Sequence, residues 1–108
     1  MTVDELKAAL DSGVPCCVLD VRDARELAVA RYPFPVLHIP MSQIPARLDE
    51  IPSDRTVVCA CRSGSRSAHI AAFLKSHGRD AVNLEGGILA WSARLDPSLL
   101  KASPTPRI

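Results

Sequence analysis

The chain has 108 residues, 47% of them hydrophobic and 23% charged, with 13 basic against 12 acidic side chains and a net charge of +1. That length holds one domain around one buried core, and the even charge gives no ground for nucleic acid or a membrane surface as partner. No apolar run approaches the ~18 residues of a membrane span, and the amino terminus lacks the basic-then-apolar order of a signal peptide, so a cytoplasmic location is expected.

Thr2-Val3-Asp4-Glu5 predicts a capping box, with Val3, Leu6 and Leu10 marking the apolar face of a helix that ends near Ser12-Gly13. Cys16-Cys17-Val18-Leu19 is a short continuous apolar run, as in a strand covered on both sides. Its adjacent cysteines face opposite ways and are expected to be packing residues. Asp20-Val21-Arg22 closes the strand, and Asp23-Ala24-Arg25-Glu26 offers a second capping box for a helix reaching about Ala30. Arg31 to Pro35 predicts a stiff turn, because each proline fixes φ. Val36 to Ile39 is the next strand, with His38 read as a strand residue rather than a base.

Ser42 to Ile51 predicts a short helix capped by Ser42, with Leu48 and Ile51 inward and Pro45 in its first turn or at a break. Thr56 to Cys59 is a β-branched strand. The run from Ala68 to Lys75 follows as a helix, with Ile70, Phe73 and Leu74 on one side and Ala68, Ala71 and Ala72 allowing close approach to the sheet. It stops at Gly78. Ala81 to Leu84 is the last strand, and Gly86-Gly87 turns the chain into a helix whose Trp91 belongs to the core. From Pro97 onward the chain reads as a tail with little structure of its own.

Between strand and helix lies Cys59-Ala60-Cys61-Arg62-Ser63-Gly64-Ser65-Arg66-Ser67. A loop at the carboxyl end of a strand, opening a helix, offers its backbone N–H groups and the positive end of the helix dipole to a ligand. A thiol there, beside cations, falls well below the ~8.5 of a free cysteine. Cys61 is the candidate thiolate, with the loop amides and the guanidinium groups of Arg62 and Arg66 lowering it. Gly64 frees the loop to curl, and Ser63, Ser65 and Ser67 can donate to an anion or cap the helix. Cys59 lies on the same side of the strand, either as a resolving thiol or as a buried one. Asp20, at the same edge of the sheet, either helps fix this loop or pairs with Arg22. Cysteines at 16, 17, 59 and 61 form no spaced disulfide framework, and with the histidines no zinc spacing, so a reduced compartment, no metal and no cofactor are expected.

Cys61 to Ser67 resembles the active-site loop of single-domain rhodaneses, the sulfurtransferases. Three further stretches agree in order: Val18-Leu19-Asp20-Val21-Arg22 with Glu26, His38-Ile39-Pro40-Met41-Ser42, and Asn83-Leu84-Glu85-Gly86-Gly87-Ile88-Leu89-Ala90-Trp91. The resemblance implies an α/β fold of three layers, α/β/α, around a central, mostly parallel sheet of four to five strands. The domain spans residues 1–96, and 97–108 form the tail. Cys61 is then catalytic, Arg62, Ser63, Gly64, Ser65 and Arg66 bind substrate, and Asp20, Arg22 and Ser67 support the loop. The chain departs from the family at Leu37 to Ser42, where a Gly-His-Ile-Pro-Gly-Ala-like pattern loses both glycines.

The implied reaction is a two-step displacement. Cys61 takes the outer sulfur of a small anionic donor such as thiosulfate and passes it to cyanide, a thiol or a protein acceptor. The chain is expected to be a monomer or weak homodimer. Two alternatives remain open: a persulfide carrier or sulfide-sensing module, and phosphatase or arsenate reductase chemistry. The latter uses a Cys-x5-Arg loop, one residue longer than the Cys-x4-Arg from Cys61 to Arg66.

Overall fold

Both capping boxes close in the computed structural model, which describes residues 1–101. Thr2 accepts from the Glu5 N–H at 3.1 Å while Glu5 accepts from the Thr2 N–H at 2.8 Å, opening α1 (Val3–Asp11). Asp23 and Glu26 exchange the same pair of bonds at the head of α2 (Ala24–Val29). Each box satisfies two helix N–H groups that the first turn cannot pair internally.

The strands are β1 (Cys16–Asp20), β2 (Leu37–His38), β3 (Thr56–Ala60) and β4 (Ala81–Asn83), in the order β2-β1-β3-β4 with every pairing parallel. A parallel sheet has to be covered on both faces. Alternation along the strands divides the core accordingly. Leu19, Val57 and Cys59 meet Ile70, Ala71 and Leu74 of α3 (Ser65–Ser76). Val18 and Val58 meet Val3 and Leu6 of α1, and Ile88 and Trp91 of α4 (Gly87–Arg94). Leu6, Leu19, Leu74, Leu84 and Ile88 are at most 1% exposed, and each such side chain contributes about 1.5–3 kcal/mol through lost contact with water. The result is the expected three-layer α/β/α arrangement. Among the described residues no helix is long and apolar enough to cross a membrane.

Three local expectations are corrected. Ser42 to Ile51 is not one α-helix capped by Ser42 but two 3-10 segments, Met41–Gln43 and Pro45–Glu50, with no side-chain cap and non-helical angles at Arg47. Pro45 has no N–H to continue a helical ladder, so the chain restarts there. Ile44, between the segments, is fully buried. On α3 only Ala71 of the three alanines is buried, because the 3.6-residue period turns Ser67, Ile70, Ala71 and Leu74 inward and leaves Ala68 and Ala72 exposed. Within the stretch read as a tail, Ser98–Lys101 forms a helical turn, α5, whose Leu99 and Leu100 pack half-buried beside Trp91 and Ile88. Residues 102–108 lie outside the described residues.

Parallel strands bring their carboxyl ends to one edge. Asp20 is in register with Ala60, and Cys59 with Asn83, so the loop leaving β3 starts between the ends of β1 and β4.

Candidate active site

Cys61 is the first residue past β3, and the chain turns at once. Gly64, at φ +102°, takes the N-cap position of α3 with no side-chain cap. Sequence offers Ser63, Ser65 or Ser67 as the cap; the left-handed glycine replaces them, swinging its own N–H back toward the cysteine. That N–H donates to Cys61 Sγ at 3.1 Å, and the Ser67 hydroxyl lies 3.2 Å from the same sulfur. Burial alone pushes the Cys61 thiol up. Hydrogen bonds from the Ser67 side chain and from the amides of Ser67, Gly64 and Ser63 outweigh it, so the thiol titrates below its ordinary value. Hydrogen bonding to a charged form favours that form. Ser63 and Ser65 are exposed at the loop surface, while Ser67 is fully buried. Cys61 itself has no accessible surface in this conformation, with the Gly64 amide and the Ser67 hydroxyl against its sulfur.

The arginines behave differently from one another. Arg66 reaches Glu26 at the head of α2 through two bonds of 2.6 and 2.8 Å. The Arg66 hydrogen bond is the largest influence on Glu26 and holds its carboxyl down to about 2. In the other direction, Glu26 pushes the Arg66 guanidinium up, with Cys61 a lesser influence. Arg62 is exposed and joins no salt bridge among the described residues. The lowered thiol therefore owes its state chiefly to hydrogen bonds, with the Arg66 charge a lesser influence than sequence proposes.

A second turn supports the first. Gly86, at φ +79°, is the N-cap of α4, and the next amides point at the loop: Ile88 N–H donates to the Cys61 carbonyl and Leu89 N–H to the Arg62 carbonyl, both at 3.1 Å. A Cβ on Gly87 would stand 2.5 Å from both of those carbonyl oxygens. Only glycine lets the two backbones approach this closely. Asn83, at the end of β4, accepts from Ser67 Oγ at 2.6 Å and donates to the Gly64 carbonyl at 3.0 Å. Ser67 thus has one hydrogen and two acceptors, Asn83 Oδ1 and Cys61 Sγ. Tyr32 completes the setting by donating to the Cys61 carbonyl at 2.6 Å. Sequence reasoning missed Asn83 and Tyr32 as members of this cluster. The Gly86-Gly87 pair was the one local signal for the second turn.

Asp20 and Arg22 form a buried ion pair, 2.8 Å between Arg22 Nη2 and Asp20 Oδ2, with side chains 1–2% exposed. Arg22 Nη1 donates to the Ala30 carbonyl, and His38 Nε2 meets the Arg22 carbonyl at 2.6 Å. The structure shows the pairing of Asp20 with Arg22, and Arg22 Cζ stands 5.3 Å from the centroid of the Tyr32 ring, whose hydroxyl donates to the Cys61 carbonyl. Cys59 is fully buried, and burial pushes its thiol up to about 12, which disfavours a thiolate there. Cys16 and Cys17, at the opposite end of β1, are free and half-buried.

Two clefts flank the loop. One, of about 630 Å³, has apolar walls that include Met41, Ile70 and Phe73, with Asp23, Ser42, Arg66 and His69 as polar members. The other, of about 390 Å³, lies among Glu26, Val29, Arg62, Ile88 and Leu100. Among the described residues no three His, Cys, Asp or Glu side chains converge as metal ligands do.

Comparison with known proteins adds a lineage to this geometry. The family model of the rhodanese-like domain matches residues 2–94. A sulfurtransferase of Allochromatium vinosum is 46% identical over 76 residues, covering 69% of this chain and 70% of that protein. A rhodanese-like domain protein from Staphylococcus aureus superimposes with a TM-score of 0.78 at 38% identity, over 84% of this chain and 88% of that one. A NAD-dependent persulfide reductase from A. fulgidus is similar at 37% identity and a TM-score of 0.69, over 84% of this chain but 15% of that protein.

Proposed function

The chain belongs to the rhodanese-like domain family and is a sulfurtransferase of rhodanese type; from that premise we propose that it moves sulfane sulfur from a small anionic donor such as thiosulfate to a thiol or cyanide acceptor through a persulfide on Cys61. The observation that carries the proposal is the convergence of the Gly64 N–H at 3.1 Å and the Ser67 hydroxyl at 3.2 Å on a thiol held below its ordinary value. Donors aimed at one sulfur stabilise a thiolate before reaction and the anionic outer sulfur of a persulfide after it, as an oxyanion hole does for oxygen.

In the first step the Cys61 thiolate attacks the outer sulfur of thiosulfate. The bond between the two donor sulfurs breaks, its electron pair leaves with sulfite, and the outer sulfur stays on Cys61. In the second step an acceptor thiolate or cyanide attacks that sulfur, and the S–S bond breaks to return the Cys61 thiolate. The covalent intermediate makes the kinetics ping-pong. Arg62, exposed and in no ion pair among the described residues, draws the anion in. Arg66 contributes only as far as the donor competes with Glu26. Gly64, with the amides of Ser63 and Ser67, gives the cradle its N–H groups, Ser65 lies at its exposed rim for an incoming donor, and Asp20, Arg22 and Ser67 keep its shape. Because Cys61 is enclosed, the donor enters as the loop opens.

Phosphoryl chemistry is disfavoured by the same geometry. Four residues between Cys61 and Arg66 leave a narrow cradle, and the nearby carboxylate of Glu26 is ionised and committed to Arg66 instead of serving as a general acid.

Intact mass spectrometry tests the reading. Exposure of the reduced, folded chain to thiosulfate is expected to add the mass of one sulfur, released by cyanide, and to add nothing to Cys61→Ser. No adduct on the native chain overturns it.

A further inference from the structure

Sequence marks the Arg31–Pro35 turn only as stiff, and its bulk invites the thought that it blocks the thiol. The structure puts it to another use. Tyr32 is 5% exposed, and its hydroxyl reaches the main chain 29 residues away, donating to the carbonyl oxygen of Cys61 at 2.6 Å. The same oxygen accepts the Ile88 N–H at 3.1 Å, so both of its lone pairs are taken. The ring has little freedom: Arg22 Cζ stands 5.3 Å from its centroid, and Phe34 lies 5.4 Å away, itself wedged against Trp91 at 4.9 Å.

We propose that Tyr32 is a positioning residue for sulfur transfer: its hydroxyl pins the Cys61 carbonyl outward and so keeps the amides that follow aimed at Sγ. The reasoning is conformational. Where successive N–H groups converge on one atom, the carbonyls between them have to diverge, and each needs a partner on the outside. The Cys61 carbonyl is the first in the series, and its orientation sets the peptide plane from which Ser63 and Gly64 follow. The Leu89 N–H holds the next carbonyl, that of Arg62, in the same way. Burial first, and the Asp20 charge after it, push the Tyr32 phenol well above its ordinary value, so it remains a donor wherever the Cys61 thiolate exists. Asp20 and Arg22, which make no contact with the loop among the described hydrogen bonds, act on it through this ring.

The proposal rests on Cys61 being the sulfur-bearing nucleophile, and its test separates the two. Tyr32→Phe keeps the ring and leaves the Cys61 carbonyl its bond from Ile88, so no buried oxygen is orphaned. We would follow the pH dependence of Cys61 alkylation by iodoacetamide, read by peptide mass, alongside kcat and KM for thiosulfate. The expected result is an alkylation midpoint moved to higher pH and a kcat reduced about two- to tenfold, the range one lost hydrogen bond supports, with KM for thiosulfate unchanged. A side chain that merely packs would alter only the thermal midpoint. Unchanged alkylation and kcat in a folded variant overturn the proposal.

Tyr32 is the only tyrosine in the chain, which supplies a second arm should Tyr32→Phe not fold. Biosynthetic replacement by 3-fluorotyrosine makes the phenol a stronger donor, and is expected to move the alkylation midpoint to lower pH; no movement counts against the proposal. Alkylation needs no sulfur donor. A chain that shows these shifts yet takes no sulfur from thiosulfate upholds Tyr32 and defeats the thiosulfate reading.

Discussion

Both β3 and β4 leave the sheet through a left-handed glycine, Gly64 at φ +102° and Gly86 at φ +79°, that stands at the N-cap of the next helix without a side-chain cap. From there the two turns diverge. The first sends its amides inward to a sulfur atom of its own strand end. The second sends its amides across to the carbonyls of the first. A helix N-terminus offers unpaired N–H groups to whatever is placed there; one turn aims its N–H at a sulfur, the other at the carbonyls of the first. A cradle for a sulfur anion cannot be self-supporting, because every carbonyl it points outward asks for an external donor.

That contrast is most sharply broken at Gly87. Gly87→Ala sets a Cβ 2.5 Å from the carbonyl oxygens of Cys61 and Arg62 at φ +56°. The expected loss is about 3–4 kcal/mol, combining overpacking with left-handed strain, and Cys61 alkylation should move to higher pH in whatever remains folded. Chemical denaturation and the alkylation profile check both. Gly64→Ala attacks the first turn directly. Its Cβ meets the Gly86 amide nitrogen at 3.0 Å, a milder clash, so about 2 kcal/mol is expected, again with the alkylation midpoint raised. Gly78, equally left-handed but with nothing within 4 Å of its Cβ, provides the control: Gly78→Ala should cost only its strain and leave Cys61 untouched.

Next in size is Ser67→Ala. It removes the one hydroxyl hydrogen that lies between Sγ and Asn83 Oδ1, costing about 1–2 kcal/mol. Since the contact to Sγ favours the thiolate, the pH at which Cys61 becomes half-reactive should rise. A smaller effect belongs to Glu26, whose carboxyl titrates near 2 in the fold against ~4.3 free. A depressed carboxyl adds stability that is fully present above the free value and fades as pH falls toward the folded one. The native chain should therefore lose thermal stability more steeply than Glu26→Gln between about pH 4.3 and 2, by under about 1 kcal/mol for a pair whose side chains are 37% and 24% exposed. The smallest change is expected from Cys59→Ala, which should leave the pH profile of Cys61 where it is. A shifted profile or altered peroxide sensitivity would give Cys59 the resolving role that its burial denies it.

The parts of this molecule that sequence made plain are those whose partners lie within a few residues. The capping boxes at Thr2 and Asp23, the β-branched run into Cys61, and the glycine at 64 are local patterns, and the loop with its cysteine reads as an anion site without coordinates. Glu26 appears in the motif that carries the family likeness, but nothing local says that it would pair with Arg66, 40 residues on. Tyr32 and Asn83 are hidden for the same reason: their neighbours are brought by the sheet order, not by the chain. Pro45 was visible as a breaker, yet whether it opens a helix or divides one depends on Ile44 being drawn into the core.

A sulfur with no accessible surface has a kinetic signature of its own. Every electrophile, whether sulfane donor, alkylating agent or peroxide, has to wait for the same uncovering event. Raised to high enough concentration, reagents of unequal intrinsic reactivity should all saturate at one shared ceiling, set by how often the sulfur of Cys61 is uncovered. The same enclosure rations chance oxidants, which at low abundance find the nucleophile hidden for most of their encounters.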